Sequence, residues 1–255
     1  MSHVSPSQPF TKSLSVIMPA YKEEKTIVQD LRNLEEVLLR IRLPYEIICV
    51  VDGSPDKTLE KAQKTVSATI KVIGYPKNMG KGYAVRYGMA QAKGDYIAFI
   101  DSGMEIDPNG ISMLLEHMEW YNADVIVGSK RHPASQVKYP FFRKIVSRVY
   151  QLFVWFFSGL NVTDTQVGLK LYRKKVLKAV LPRLLVKRYA FDLEMLAVAH
   201  RLGFTRIYEA PVKLRFAFSA LNHAAGFDHM LRALQDTLAI IYRLKILHYY
   251  DNINT

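Results

Sequence analysis

The stretch Asp95-Tyr-Ile-Ala-Phe-Ile-Asp-Ser-Gly-Met-Glu105 decides the fold. Its apolar run, Tyr96 to Ile100, is short, rich in aromatic and branched side chains, and entered from Gly94-Asp95. Such a run reads as a strand buried on both faces, as in a parallel sheet. It ends in Asp101 and, four residues on, Glu105, so the strand carries a carboxylate to the rim of the sheet, where open α/β sheets bind ligands. Ser102-Gly103 lets the backbone turn between the two acids. Together they form a candidate pair of oxygen ligands for a divalent cation and, through it, a diphosphate. An Asp at a strand end also serves simply to cap the following turn; the loops around it weigh between the two readings.

Working outward, strand-like runs alternate with helix-like periods. Leu14-Ser-Val-Ile-Met18 is a strand closed by Pro19. From about Glu24 to Arg40 the positions Ile27, Leu31, Leu34, Val37 and Leu38 recur at helical spacing. Tyr45 to Val51 is a second strand, Asp56 to Val66 a polar helix, Ile70 to Ile73 a third strand, and Gly80 to Ala92 another helix. After Asp107-Pro108, with its Pro near a first helical turn, Ile111, Leu114, Leu115 and Met118 mark an amphipathic segment, followed by the strand Val125-Ile-Val127. The repeating βα order implies a mostly parallel sheet with right-handed crossovers, flanked by helices. Residues 1–12 read as a tail, 13–216 as the α/β domain and 217–255 as a C-terminal amphipathic helical segment.

Composition narrows the partners. With 255 residues, 49% of them hydrophobic, the chain is long enough to bury one large core. The 35 Lys and Arg against 23 Asp and Glu leave a net charge of +12, which favours an anionic partner: nucleic acid, nucleotide or acidic membrane surface. Nucleic acid ranks last, because no recognition motif accompanies the charge. The single Cys49 lies in an apolar run, which excludes an internal disulfide and a cysteine-rich zinc site. No eighteen apolar residues run without a charge, and the N-terminus has no basic-then-apolar leader pattern.

Parallel strands place all their carboxyl ends together, so the loops Pro19-Ala-Tyr-Lys-Glu-Glu24 and Asp52-Gly-Ser-Pro-Asp56 share an edge with Asp101. A third loop, Lys77-Asn-Met-Gly-Lys-Gly82, sets glycines and Lys81 before a helix and reads as a phosphate cradle. It lacks the spacing of a Walker loop.

In order along the chain, Val16-Ile-Met-Pro-Ala-Tyr-Lys-Glu-Glu24, Val51-Asp-Gly-Ser-Pro-Asp56, Asn78-Met-Gly-Lys-Gly82 and Gly94-Asp-Tyr-Ile-Ala-Phe-Ile-Asp101 resemble the successive blocks of family 2 glycosyltransferases of the GT-A (Rossmann-like) fold. The nearest likeness is to the polyprenyl-phosphate (dolichyl-phosphate) mannosyl- and glucosyltransferases, over roughly residues 13 to 216. The resemblance implies that Pro19, Ala20, Tyr21, Glu23 and Asp52 surround the nucleoside of a sugar nucleotide, with Lys81 also in the nucleotide site, and that Asp101 binds the Mg²⁺ or Mn²⁺ that bridges its diphosphate. Two positions depart from the family pattern. Val51 replaces the first Asp of the usual Asp-Asp-Gly-Ser, leaving Asp52 to face the base. Gly103 replaces the second acid of Asp-x-Asp, leaving Glu105 to share the metal with Asp101.

The second half carries the expected acceptor site. Tyr139 to Leu160 reads as a basic and aromatic helix, either lying in a membrane interface or packed in the core. By resemblance, Arg143 and Ser147, at i and i+4, together with Arg131 and Arg215 hold the acceptor phosphate, with Lys130 an alternative to Arg131. Asp164, Gln166 and Asp192 are expected to line the sugar and acceptor pocket. Structurally, Asp164 also fits a plain turn residue and Glu194 a plain exposed helix position. The wording Asp164-Thr-Gln-Val-Gly-Leu-Lys170 resembles the glucosyl more than the mannosyl branch and favours UDP-glucose over GDP-mannose.

The expected activity is metal-dependent, inverting hexose transfer from a sugar nucleotide to a polyprenyl phosphate. The expected place is the cytoplasmic face of a membrane, held peripherally or through a membrane-spanning partner, with a homo-oligomer also open. Two rivals stand beside it: a transferase with a soluble saccharide acceptor, and an idle nucleotide-sugar-binding subunit, motivated by Gly103. The C-terminal run Leu231, Leu234, Leu238 and Ile241, with Arg243 and Lys245, is an amphipathic helix that docks on the domain, a membrane or a second copy.

Overall fold

The apolar runs named above become strands because only a doubly covered sheet removes all of their side chains from water. The computed structural model describes residues 12–135, 159–188, 190–215 and 227–251. Strands β1 (Leu14–Ala20), β2 (Tyr45–Asp52), β3 (Ile70–Tyr75), β4 (Tyr96–Ile100), β5 (Val125–Ser129), β6 (Leu169–Arg173) and β7 (Ile207–Pro211) form one sheet. Its order is β3-β2-β1-β4-β6-β5-β7. Every residue of β1 and β4 is buried. Pairing is parallel except at β6, which runs antiparallel to both β4 and β5.

The order has a functional consequence. The chain steps outward from β1 to β2 to β3, then jumps back to place β4 on the other side of β1. The strand order therefore reverses between β1 and β4, and a crevice opens at that point beyond their carboxyl ends. The loop after β1 and Asp101 after β4 flank that crevice.

Several boundaries differ from the sequence reading. Pro19 does not close β1: the strand runs on to Ala20, paired with β2 through Ala20↔Val51. Pairing with β4 has already ended at Ile17↔Phe99, so the missing proline N–H falls where one side of β1 is open. Helices α1 (Ile27–Arg40), α2 (Thr58–Gln63) and α3 (Lys81–Met89) are shorter than the expected spans, and α4 (Gly110–Trp120) contains all four of its expected apolar positions. Their first residues are taken by loop bonds, such as Ile27 N–H to Glu23 O at 2.9 Å. Beyond β6 come α5 (Lys174–Val180), α6 (Phe191–Arg201) and α7 (Phe227–Lys245). Strands β6 and β7 and helices α5 and α6 were not expected from periodicity. Lys170 and Asp192 interrupt the apolar pattern inside the core, and α6 is buried almost all round.

The C-terminal segment joins the same core. Ile240, Leu244 and Tyr250 are buried in it. Arg183 Nε donates to Tyr250 O at 2.9 Å, and Arg201 holds Asp251 at 2.7 and 2.6 Å. Glu194, read as a plain exposed position, is fully buried. Its carboxylate accepts from Leu185 N–H and Val186 N–H and from Tyr250 Oη at 2.7 Å, bracing the loop before α6 against the turn at Tyr250.

Candidate active site

Asp101 leaves β4 directly into the crevice, and its side chain meets Lys81, the first residue of α3. The Lys81 ammonium lies 2.6 Å from Asp101 Oδ1 and donates to Oδ2 at 2.8 Å. Burial alone would lower the Lys81 pKa. The carboxylates of Asp101, Asp192 and Glu105 outweigh it, and the net shift is upward, so Lys81 is firmly a cation. Asp101 Oδ1 is buried and makes no hydrogen bond. Behind it, Gly168 is required: a Cβ there would stand 2.0 Å from Asp101 Oδ2, while Gly168 O accepts from Asp101 N–H at 3.1 Å.

The loop before α3 commits several of its amides to the chain itself. Met79 N–H and Gly80 N–H donate to Asp52 at 2.7 and 2.9 Å, and Tyr83 N–H donates to Lys187 O at 3.1 Å. A first-turn amide of the helix is thus satisfied by protein. Gly82 serves close packing, since a Cβ there would sit 2.5 Å from Phe191 Cβ. Lys81's side chain stands toward the crevice from this loop.

The expected role of Asp52 is corrected by the same bonds. Tyr75 Oη (2.9 Å) and Asn78 Nδ2 (2.9 Å) add to the two amides. A carboxylate has about four acceptor sites, and all are used within the chain. Asp52, 3% exposed, braces the Asn78–Gly80 turn and does not face a base.

The first two loops interlock at the crevice mouth. Lys22 N–H donates to Ser54 Oγ at 2.8 Å and Glu23 N–H to Thr58 Oγ1 at 2.9 Å. Their hub is Asp56. Burial would raise its pKa, but the hydroxyls of Ser54 and Thr58 and the amides of Thr58 and Glu24 bring it down to about 2. Pro19 and Ala20 end the buried strand, and Tyr21 is 41% exposed beside them. Glu23 turns toward the Asp101 loop, where Ser102 Oγ donates to its Oε1 at 3.3 Å. Burial, with smaller contributions from Asp30 and Asp56, raises the Glu23 pKa above its ordinary value, against the hydroxyls of Thr26 and Ser102.

At the missing second acid, Gly103 has φ +76° and its N–H donates to Asp30 Oδ2 at 3.0 Å. This left-handed turn is what glycine allows at low cost. Beyond it, Glu105 pairs with Lys130 at 3.0 Å. Lys130 N–H in turn donates to Asp164 Oδ2 at 3.1 Å, and Asp164 N–H to Glu209 Oε1 at 3.0 Å. Glu209 had no sequence signal. Arg215 arrives at the same place because Arg215 N–H donates to Glu105 O at 2.9 Å, next to the bridge Ile106↔Leu214. Arg131 follows Lys130 at the end of β5, half-buried, and Gln166 is exposed. Arg143 and Ser147, with nearly all of the 139–160 segment, lie outside the described residues.

Asp192 does not line an open pocket. It is 3% exposed and receives Lys170 Nζ at 2.5 Å; Lys170 also donates to Val167 O at 2.6 Å. Burial pushes Lys170 down and Asp192 up, and their mutual attraction opposes both shifts. Asp192 acts on the site through its charge on Lys81. Lys170 stands in a stretch noted for resemblance, but a buried lysine has no periodicity by which to be found.

The donors suit a hard divalent cation. Asp101 Oδ1 is a buried carboxylate oxygen in ion-pair contact with Lys81 but without a hydrogen bond, and Glu105 is a half-exposed second carboxylate paired with Lys130. Among the described residues no group of three His, Cys, Asp or Glu side chains could hold a metal. Among the described residues Asp101 and Glu105 would be the acids supplied, with the remaining positions left to diphosphate and water, as Mg²⁺ accepts.

The comparisons agree with this architecture. The model of glycosyl transferase family 2 matches residues 15–181. The dolichyl-phosphate beta-glucosyltransferase of Drosophila melanogaster is 32% identical over 208 residues, covering 74% of this chain and 63% of that protein. The Homo sapiens protein of the same name is 33% identical over 205 residues, with the same shares. This chain thus spans 63% of the length of these relatives. Among solved structures it is similar to glucosyl-3-phosphoglycerate synthase from Mycobacterium tuberculosis in complex with phosphoglyceric acid, with a TM-score of 0.67 at 20% identity, covering 91% of this chain and 79% of that one. The same enzyme with Mn²⁺, uridine diphosphate and phosphoglyceric acid gives 0.65 at 20% identity, covering 91% and 78%. At that identity the likeness is one of fold, and it bears out the expected GT-A sheet. Since the matched span runs from β1 through α5 and takes in the Asp101 crevice, the chain belongs to glycosyl transferase family 2.

Proposed function

We propose that this chain transfers a hexose, with inversion, from a sugar nucleotide to a polyprenyl phosphate of the dolichyl type, with UDP-glucose preferred to GDP-mannose and Mg²⁺ or Mn²⁺ as cofactor. The observation that carries it is the pairing of Lys81 with Asp101 beside Glu105 at the switch-point crevice, with Lys130 and Arg215 both bonded to Glu105. The names of the relatives support the lipid acceptor and the glucosyl donor.

In this reading Pro19, Ala20, Tyr21 and Glu23 hold the nucleoside. Lys81, already a cation, compensates the diphosphate charge. Asp101 and Glu105 would hold the metal, which when bound stabilises the leaving nucleoside diphosphate as a Lewis acid. The acceptor needs no strong base, because a phosphomonoester with a second pKa of about 6 is already anionic near neutrality. Arg131 and Arg215, with Arg143 and Ser147, orient that phosphate behind the anomeric carbon, so catalysis rests on positioning and charge compensation. Asp164 and Gln166 stand on the sugar side. Attachment is peripheral, at the cytoplasmic face or through a membrane-spanning partner; among the described residues no helix is long and apolar enough to cross a membrane.

The test is transfer from radiolabelled UDP-glucose and GDP-mannose to a short polyprenyl phosphate, with chelator and then added Mn²⁺, read by thin-layer separation of the lipid product. Labelled lipid that disappears with chelator and returns with Mn²⁺ is the expected result. Transfer to a soluble saccharide alone, or binding of donor without turnover, overturns the proposal.

A further inference from the structure

Helix α7 is held in place by one face only. Thr237, Ile240 and Leu244 are at most 5% exposed against the core, and Tyr250 beyond the helix is fully buried. The Arg201–Asp251 pair and the Arg183 bond to Tyr250 O fix the helix end. The opposite face needs nothing from the fold and is nevertheless apolar. Leu234 (42%), Leu238 (49%) and Tyr242 (53%) form an i, i+4, i+8 stripe, extended by Ile246 (65%), Leu247 (53%) and Tyr249 (38%) past the helix end. A surface helix of a globular domain is expected to turn a polar face to water; here both faces are apolar. Contiguous exposed patches of this kind mark interaction sites.

We infer that this outer face of α7 is a lipid-contacting surface, lying flat on an anionic membrane with Leu238 and Tyr242 at its centre. Three observations select a bilayer over a second copy of the chain. Lys245 falls between Leu234 and Leu238 around the helix, at its last turn, and is itself exposed. A two-fold contact centred on Leu238 and Tyr242 gives the Lys245 ammonium no anionic partner among the described residues of this face, whereas at a bilayer its stem lies along the apolar stripe and its ammonium reaches anionic headgroups. The chain's net charge of +12 is complementary to such a surface. Tyr242 and Tyr249 supply amphipathic rings suited to the headgroup level. The inference deepens the functional reading by naming the surface that brings the crevice to a lipid-borne acceptor, and it is tested without any sugar transfer.

The test is co-sedimentation of the full chain with phosphatidylcholine vesicles, with and without phosphatidylserine, for wild type, Leu238→Asp/Tyr242→Asp, Lys245→Glu and Leu39→Asp. Leu39 is an isolated leucine, 68% exposed on α1, and serves as control. Because the double variant replaces two apolar groups at the centre of the face with charges that resist burial in a bilayer, it is expected to lose at least about tenfold in partitioning. Lys245→Glu should lose the phosphatidylserine-dependent part, and Leu39→Asp should match wild type. Near-ultraviolet circular dichroism establishes that the variants fold. Wild-type partitioning by the double variant overturns the inference, as does an equal loss in Leu39→Asp. A wild-type dimer that the double variant converts to monomer, with vesicle binding unchanged, assigns the face to a second copy instead. Failure of the functional reading is separate: it is a chain that binds vesicles but transfers no hexose to a water-soluble short-chain polyprenyl phosphate.

Discussion

Lys81 Nζ stands 2.6 Å from Asp101 Oδ1, an oxygen that makes no hydrogen bond of its own. The first residue of α3 and the residue that follows β4 are joined by this ion pair and by the Lys81 hydrogen bond to Asp101 Oδ2 at 2.8 Å, in the crevice that the strand order opens. A bound donor would offer Lys81 a second anionic partner and release Asp101 toward a cation. Lys81→Met is expected to lower kcat/KM by roughly 10²-fold, the loss seen when one preorganised donor is removed from a developing charge. Steady-state kinetics with UDP-glucose checks this. Lys81→Met at wild-type kcat/KM would place the diphosphate elsewhere.

Gly168 gives a sharper probe of the same carboxylate. A Cβ at this position would fall 2.0 Å from Asp101 Oδ2, and the half-exposed end of Asp101 is the part able to move. Gly168→Ala is therefore expected to shift Asp101 with little change in melting temperature. Mn²⁺ affinity, read by calorimetry, should fall by about tenfold or more, as it does when the support of a metal ligand is disturbed.

The Lys170–Asp192 pair is fully desolvated at 2.5 Å. Removing one partner leaves a buried charge uncompensated and is expected to cost about 3–5 kcal/mol, whereas replacing both with apolar residues costs much less. Urea denaturation of Lys170→Met, Asp192→Leu and the double variant measures the difference. Equal destabilisation by all three would show that the pair does not act as a unit.

Asp52 predicts a split between binding and turnover. Its carboxylate takes Met79 N–H, Gly80 N–H, Asn78 and Tyr75. Asp52→Ala strands these donors at roughly 1–3 kcal/mol for a buried group left unpaired. The loosened turn carries Lys81, so KM for the donor should rise while kcat changes less.

Acid stability should depend on Asp56. Its folded pKa, about 2, lies below the ordinary 3.8, so ionised Asp56 favours the folded state. That contribution is fully present above the unfolded value and is lost as pH falls from about 4 through 2. Thermal melts of wild type and Asp56→Asn should differ near pH 5 and converge toward pH 2. A constant difference across that range would mean the carboxylate's charge is not what joins the first two loops.

The sequence by itself determined the sheet and its rim. Uninterrupted apolar runs such as Tyr96–Ile100 have no exposed face to spare, and their alternation with helical periods leaves a parallel sheet as the way to bury them, which fixes Asp101 and the loops after β1 and β2 at one edge. The order of the blocks around these residues was enough to name the family. Only the tertiary structure decided how each polar side chain is used. Asp52 and the glycines of the third loop look like ligand-binding residues in sequence, yet they hold the chain to itself. Glu194 fits an exposed helix position in sequence, and nothing in the sequence marks Lys170 as buried, yet both sit in the core. Hydrophobic periodicity reports which backbone faces are dry, but a buried charge is stable only beside a partner far along the chain, here Asp192 for Lys170 and Tyr250 for Glu194. That partner comes into reach only after the sheet has closed.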